Sequence, residues 1–304
     1  MEKQQKNVAA LSDKQTLEQI DALYMAGMRV ALLDASFSDA ELERLCGMVK
    51  KIFYTHNDPI GLMLRLRPGM EPAVLDVYQY VLLEDFTAAA AMQWRAAHSS
   101  FAGLLLAKAE NGVEAWMDIA DGILTSDPAV AEAAQTAGLL VLTDHAGIQA
   151  DGLLWHAGTA PEEIANRQEK LQWNEQRILQ RIADAAPEHA LGPMAVLNAM
   201  KTDAKAILVL TTDGTNLAPV TSLNPPVPVI AIAKRPEKEA MLLCQTMRWG
   251  TLPTAITRTP ESMDMEAFAR FVAQLYGYQA GDRFVALGHW VEGQNQRQMC
   301  CFTL

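Results

Sequence analysis

The sequence has no apolar run approaching the roughly 18–20 residues that a membrane-spanning helix needs, so no membrane partner is expected. Basic residues are outnumbered: 25 Lys and Arg against 36 Asp and Glu leave a formal charge of −11. A surface of that sign repels phosphate backbones and anionic lipids, which argues against nucleic acid as a partner. Cysteine is sparse, with Cys46, Cys244, Cys300 and Cys301 as the whole complement. None forms a Cys-x-x-Cys pair, and a disulfide between the neighbours Cys300 and Cys301 would be strained. This is the cysteine usage of a reduced cytosol. Met1 to Asn7 is polar with no apolar segment behind it, so no secretory signal is expected and the location read is cytoplasmic. The histidines (His56, His98, His145, His156, His189 and His289) show no metal spacing. The G-x-x-x-x-G-K-[ST], H-E-x-x-H and G-x-S-x-G motifs are missing too, as are internal repeats.

What is present is a core-forming chain. Half of its 304 residues are hydrophobic and a fifth are charged, enough for two domains. The boundary is expected near Pro187-Glu188-His189, giving domains of residues 1–187 and 188–304. In the first, short apolar runs alternate with amphipathic stretches. The runs are Val8–Leu11, Val30–Leu33, Ile60–Leu66, Tyr78–Leu83, Leu104–Ala107, Gly122–Leu124, Leu139–Leu142 and Gly152–Trp155. Ser12 with Gln15 reads as a capping box, and Gly27 stands where a helix C-cap belongs. Ser38 with Glu41 opens a helix that turns Leu42, Leu45, Val49 and Ile52 inward. Thr87–Ala97 and Pro128–Ala137 also read as helices.

Repeated strand–helix alternation implies parallel strands joined by right-handed crossovers, and eight of them close a (β/α)8 barrel. The eight runs fit within fewer residues than the roughly 200 typical of that fold, so the expectation is a trimmed or imperfect barrel. A long helix is expected after Pro161, with Ile164, Leu171, Ile178 and Ile182 on one face. The second domain reads as α/β. A helix near Gly192–Met200 precedes strands Ala206–Leu210 and Pro228–Ile232. A helix turning Met265, Phe268, Val272 and Leu275 inward precedes strands Arg283–Leu287 and Gln298–Thr303.

Several segments resemble the pyruvate kinase family in order along the chain. Residues 206–214 (AILVLTTDG), 228–231 (PVIA) and 281–288 (GDRFVALG) resemble three strands of its C-terminal regulatory domain. In the first half, residues 26–31 (AGMRVA) are similar to the family's SGMNVAR segment, and residues 108–113 (KAENGV) to its KIENHEGV motif. Residues 121–123 (DGI) resemble SDGIMVARGD, and residues 151–160 (DGLLWHAGTA) a worn ADCIMLSGETA. The resemblance implies phosphoryl transfer between phosphoenolpyruvate and ADP, with Mg²⁺ and a monovalent cation such as K⁺. Such chemistry runs on positioning and charge neutralisation.

By that resemblance Lys108 matches the catalytic lysine and Glu110 a metal carboxylate, two residues apart on one face of a strand end. The second metal carboxylate falls on Ala129 without a gap, or on Asp127 with a two-residue shift. Asp34 and Ser36 match monovalent-cation ligands, and Thr211 and Gly214 remain from the effector loop, where Asp213 opposes phosphate. Ungapped, His145 stands in the catalytic threonine region, beside Thr143.

Other positions depart from the family. Leu32 replaces a phosphate-clamping arginine and can neither donate nor carry charge. Arg65 reverses the charge of a cation-binding aspartate. The inserted lid domain has no counterpart, because Leu66 runs through Arg67-Pro68-Gly69 straight into the next segment. The expectation is therefore a catalytically impaired relative with an interaction role, assembling with itself or with an active relative. Two alternatives stand beside it. One is an active transferase that recruits Arg65 or Arg67 as a new clamp. The other is a metabolite sensor acting through the second domain.

Overall fold

The computed structural model describes residues 5–56, 60–101, 103–110, 112–167, 175–185, 190–211, 217–221, 223, 225–233, 251–255, 264–288 and 298–304. The described residues divide into two compact units, one within residues 4–171 and the other within residues 172–304. The expected boundary at residues 187–188 falls outside the described residues.

The first unit is a closed barrel of eight parallel strands in sequence order. They are β1 (Lys6–Ala10), β2 (Met28–Asp34), β3 (Gly61–Leu66), β4 (Tyr80–Leu83), β5 (Leu104–Lys108), β6 (Gly122–Leu124), β7 (Leu140–Thr143) and β8 (Gly152–Trp155). β8 pairs back onto β1, with Val8 opposite Leu154. Across that seam the buried indole N–H of Trp155 donates to Asn7 Oδ1 at 2.9 Å. Alternate residues split between two cores. Ala31, Leu33, Leu64, Val81, Leu83, Leu105 and Ala107 pack outward among the helix residues. Val30, Leu32, Met63, Tyr80, Leu82 and Leu106 have the opposite parity, and all are buried. The barrel is complete as a sheet, and its helical ring is what has been trimmed.

Helices follow only some strands. They are α1 (Leu17–Met25) after β1, α2 (Asp39–His56) after β2, α3 (Ala88–Ala97) after β4, α4 (Pro128–Ala137) after β6 and α5 (Pro161–Asn166) after β8. Among the described residues no helix follows β3, β5 or β7. Each helix-free connection has a side-chain substitute at the barrel's N-terminal rim. The residue just before β4, β6 and β8 is Gln79, Asp121 and Asp151 respectively. Each accepts a backbone N–H from the second residue of the preceding strand. Gln79 Oε1 takes that of Leu62 at 2.8 Å, Asp121 Oδ2 that of Leu105 at 2.9 Å, and Asp151 Oδ2 that of Val141 at 2.7 Å.

Helix starts follow capping rules. Asp127 accepts from the N–H groups of Ala129 and Val130, and Thr87 from that of Ala90. The capping box of α1 is Thr16 with Gln19, whereas Ser12 and Gln15 bond to each other within the preceding turn. A helix starting at Ser12 would bring the apolar face of α1 on one turn too early. Gly27, at φ 110°, sits just past the C-cap Ala26. α2 buries Leu42, Leu45, Val49 and Ile52, and Ser38 and Glu41 exchange capping bonds at its start.

The long helix expected after Pro161 is instead α5, which ends at Arg167 with φ −115° and ψ 74°. A separate α6 (Glu175–Asp184) belongs to the second unit. Ile164 packs in the barrel core and Ile178 in a core of the second unit, so one helical spacing serves two separate cores.

The second unit holds a five-stranded sheet in the order β11-β10-β9-β12-β13. Its strands are β9 (Ala206–Thr211), β10 (Val229–Ala233), β11 (Thr251–Ala255), β12 (Arg283–Gly288) and β13 (Gln298–Thr303). All pairings are parallel except β12 with β13. Among the described residues the remaining helices are α7 (Leu191–Lys201), α8 (Ala218–Thr221) and α9 (Met265–Leu275). Ile207, Val209 and Ala231 pack with α7 on one face, while Leu208, Ile230 and Phe284 pack with α9 on the other. Met265, Phe268 and Val272 point inward as their spacing predicts, but Leu275 is 62% exposed at the last turn of α9.

Candidate functional site at the barrel mouth

Strand parity carries the charged residues to one place. Beyond the apolar layers of β2 to β5, the next inward position is Asp34 on β2, Arg65 on β3, Glu84 just past β4 and Lys108 on β5. All lie at the C-terminal strand ends, the mouth of the barrel, and Arg67 follows one pleat beyond Arg65.

The side chains close into an ion-pair network. Arg65 Nε donates to Asp34 Oδ2 at 2.9 Å and lies 4.0 Å from Glu84 Oε2. Arg67 Nη2 lies 2.9 Å from Glu84 Oε2, and its Nη1 is 3.4 Å from Asp34 Oδ2. Lys108 Nζ lies 3.8 Å from both Glu84 Oε1 and Glu110 Oε1. The two central carboxylates are well covered, with 9% of the Asp34 side chain and 15% of Glu84 exposed. Glu110 is 76% exposed. Three cations face three anions, so the cluster sums to zero charge.

Asp34 is ionised more readily than a free carboxyl. Burial opposes its charge, but the Ser36 N–H and hydroxyl together with the guanidinium groups of Arg65 and Arg67 outweigh that cost and lower its pKa. The Ser36 N–H donates to Asp34 Oδ1 at 3.0 Å, so Asp34 and Ser36 form a local turn at the end of β2.

The other candidate residues lie apart from this cluster. Asp127 Oδ1 is engaged as the N-cap of α4, accepting the Ala129 N–H at 2.8 Å. Thr143 is fully buried, and its hydroxyl accepts the His145 N–H at 3.2 Å. His145 Nδ1 lies 2.9 Å from the carbonyl of Ala146. Leu32 is 1% exposed at an inward position of the barrel, so no polar group reaches the mouth from there. Thr211 ends β9, and Gly214 lies outside the described residues. Among the described residues no three His, Cys, Asp or Glu side chains converge as a metal site. Cys46, Cys300 and Cys301 are free, and burial pushes each thiol up, Cys300 to about 11, which leaves them protonated and poorly nucleophilic. Glu84 is the central residue that sequence reading missed. Its signal was period two, since it continues the inward series Tyr80, Leu82 past the end of β4.

A closed parallel barrel with charged side chains gathered at its C-terminal strand ends, followed by a separate α/β unit, defines a two-domain α/β protein of barrel-enzyme architecture. Residues 189–300 match the family described as pyruvate kinase, alpha/beta domain, and through that domain the chain is related to the pyruvate kinase family. Among curated proteins none matches the chain. Among the described residues no helix is long and apolar enough to cross a membrane.

Proposed function

We propose that this pyruvate-kinase-like protein is a pseudoenzyme whose barrel mouth no longer passes a phosphoryl group, and that it persists in an interaction role in the cytoplasm. The observation that carries the reading is the closed network at the mouth. A transferring phosphoryl group needs cations free to neutralise it. Here Arg65 and Arg67 face Asp34 and Glu84, and Lys108 faces Glu84 and Glu110. An incoming phosphate would have to displace carboxylates already held next to the guanidinium groups. At 4 Å an added anion repels each of those carboxylates by about 4 kcal/mol at an effective dielectric of 20.

Two further observations support it. The connection from β3 to β4 is residues 67–79 and contains no domain, so nothing inserted there covers the mouth. Mg²⁺ finds a poor set of ligands, since Glu110 points to solvent beside Lys108 and Asp127 caps α4. What the chain has kept is two packed cores, consistent with a protein retained for its surfaces, whether in a homo-oligomer or beside an active relative.

A second reading has one observation in its favour: Arg65, Arg67 and Lys108 share the mouth, as a rebuilt clamp would require. Pyruvate formation from phosphoenolpyruvate and ADP, followed with lactate dehydrogenase in buffer containing Mg²⁺ and K⁺, separates the two. The pseudoenzyme reading expects background rates, unchanged in Lys108→Met. Turnover at ordinary enzyme rates that vanishes in Lys108→Met establishes the transferase instead.

A further inference from the structure

We infer that Arg65 and Arg67 are built-in counter-ions, and that the barrel mouth is stabilised by its own guanidinium groups rather than by a bound metal cation. The inference holds whether or not the chain turns over any substrate. Asp34 ends β2 and Glu84 lies just past β4; both are mostly covered by protein and would repel each other if left alone. Some positive charge must lie between them. The family resemblance puts a monovalent cation beside Asp34 and Ser36, but the residues present do not fit one. Asp34 Oδ2 is taken by Arg65 Nε at 2.9 Å and lies 3.4 Å from Arg67 Nη1, while Oδ1 accepts the Ser36 N–H at 3.0 Å. A metal ion drawn to this carboxylate would meet two fixed cations.

The guanidinium groups also do something a mobile ion could not. Arg65 and Arg67 both belong to the β3 end of the mouth, and they reach Asp34 at the end of β2 and Glu84 past the end of β4. Lys108 extends the chain of contacts to β5. Four consecutive strand ends are thus tied by covalently tethered charges. The tie lies at the opposite rim from the Gln79, Asp121 and Asp151 bonds. It falls on the stretch that includes the helix-free β3–β4 connection, where no helix braces the strands from outside.

Thermal unfolding of the full chain in chloride salts of matched ionic strength tests this. The cations are tetramethylammonium, Na⁺, K⁺, and K⁺ with Mg²⁺. The wild-type barrel midpoint should be the same in all of them to within about 1 °C. Arg65→Gln leaves Asp34 short of its partner. Its midpoint should fall by about 4–8 °C in tetramethylammonium and recover in part in Na⁺ or K⁺. Adding Asp34→Asn should return the midpoint toward wild type and remove the response to metal cations. If Arg65→Gln fails to fold, the double variant provides the comparison, and a folded double variant supports the inference. A wild-type midpoint raised by K⁺ or Mg²⁺ over tetramethylammonium overturns it. So does an Arg65→Gln chain that melts like wild type, or a double variant no better than the single one.

Discussion

Asp151 Oδ2 accepts the backbone N–H of Val141 at 2.7 Å, joining the residue before β8 to the start of β7 where no helix connects the two strands. The same bond recurs from Asp121 to Leu105 and from Gln79 to Leu62. A parallel barrel normally braces successive strands with the helix between them. Here the bracing at the helix-free connections has moved into single side chains. A buried backbone N–H left without its acceptor costs about 1–3 kcal/mol. Asp151→Ala should therefore lower the urea-unfolding free energy of the barrel by about 2 kcal/mol. Asp151→Asn keeps an acceptor oxygen and should lose less than half of that. Equal losses in both variants would show that the bond to Val141 is not what Asp151 contributes.

The mouth should respond to acid in a defined window. Asp34 has a folded pKa held below that of an unfolded aspartate, about 3.9. Its contribution is therefore fully present above the unfolded value and is lost as pH falls through the lower folded value. Urea unfolding at pH 7, 4 and 3 should show wild-type stability dropping most steeply below pH 4. Asp34→Asn should be less stable at pH 7 and follow a flatter profile below pH 4. Parallel profiles for the two proteins would mean that Asp34 does not titrate as the geometry requires.

Asp127 offers a clean separation of roles. Its carboxylate holds two N–H groups at the start of α4. Asp127→Ala should cost about 1 kcal/mol in unfolding free energy, while Asp127→Asn or Asp127→Ser should cost only a few tenths. None of the three should alter the response of the melting midpoint to Mg²⁺. A Mg²⁺ response lost in Asp127→Asn alone would return this residue to the metal site that the family resemblance suggests.

Much of the fold was legible because strands announce themselves as short apolar runs. Gly122–Leu124 and Gly152–Trp155 are strands to the residue, and α2 turns inward the four residues its spacing singles out. The misreadings have local causes. Ile164 and Ile178 share a helical spacing but serve different cores, which periodicity alone cannot distinguish. Ser12 and Gln15 do form the expected side-chain bond, but within a turn, and the start of α1 belongs to Thr16. β11, with Pro253 in its middle, gave no strand signal; among the described residues it pairs with β10 alone, at the edge of the sheet, where a proline is tolerated.

The site was half legible. Lys108 and Glu110 stand out through their motif, and Lys108 Nζ lies 3.8 Å from Glu110 Oε1. The charge reversal at Arg65 was visible in the sequence, but its consequence was not. Nothing local in the chain says that Arg65 and Arg67 would both turn toward Asp34 and Glu84. That arrangement depends on the register between β2, β3 and β4, which pairs Asp34 with Arg65 and Arg65 with Leu82.

The central claim is that the cations of the mouth are already neutralised and do not hold a phosphorylated substrate. Calorimetric titration of phosphoenolpyruvate into the wild-type chain, in buffer with Mg²⁺ and K⁺, tests it most directly. The account expects no saturable binding up to millimolar concentrations, with Lys108→Met indistinguishable from wild type. Saturable one-to-one binding that disappears in Lys108→Met would contradict it.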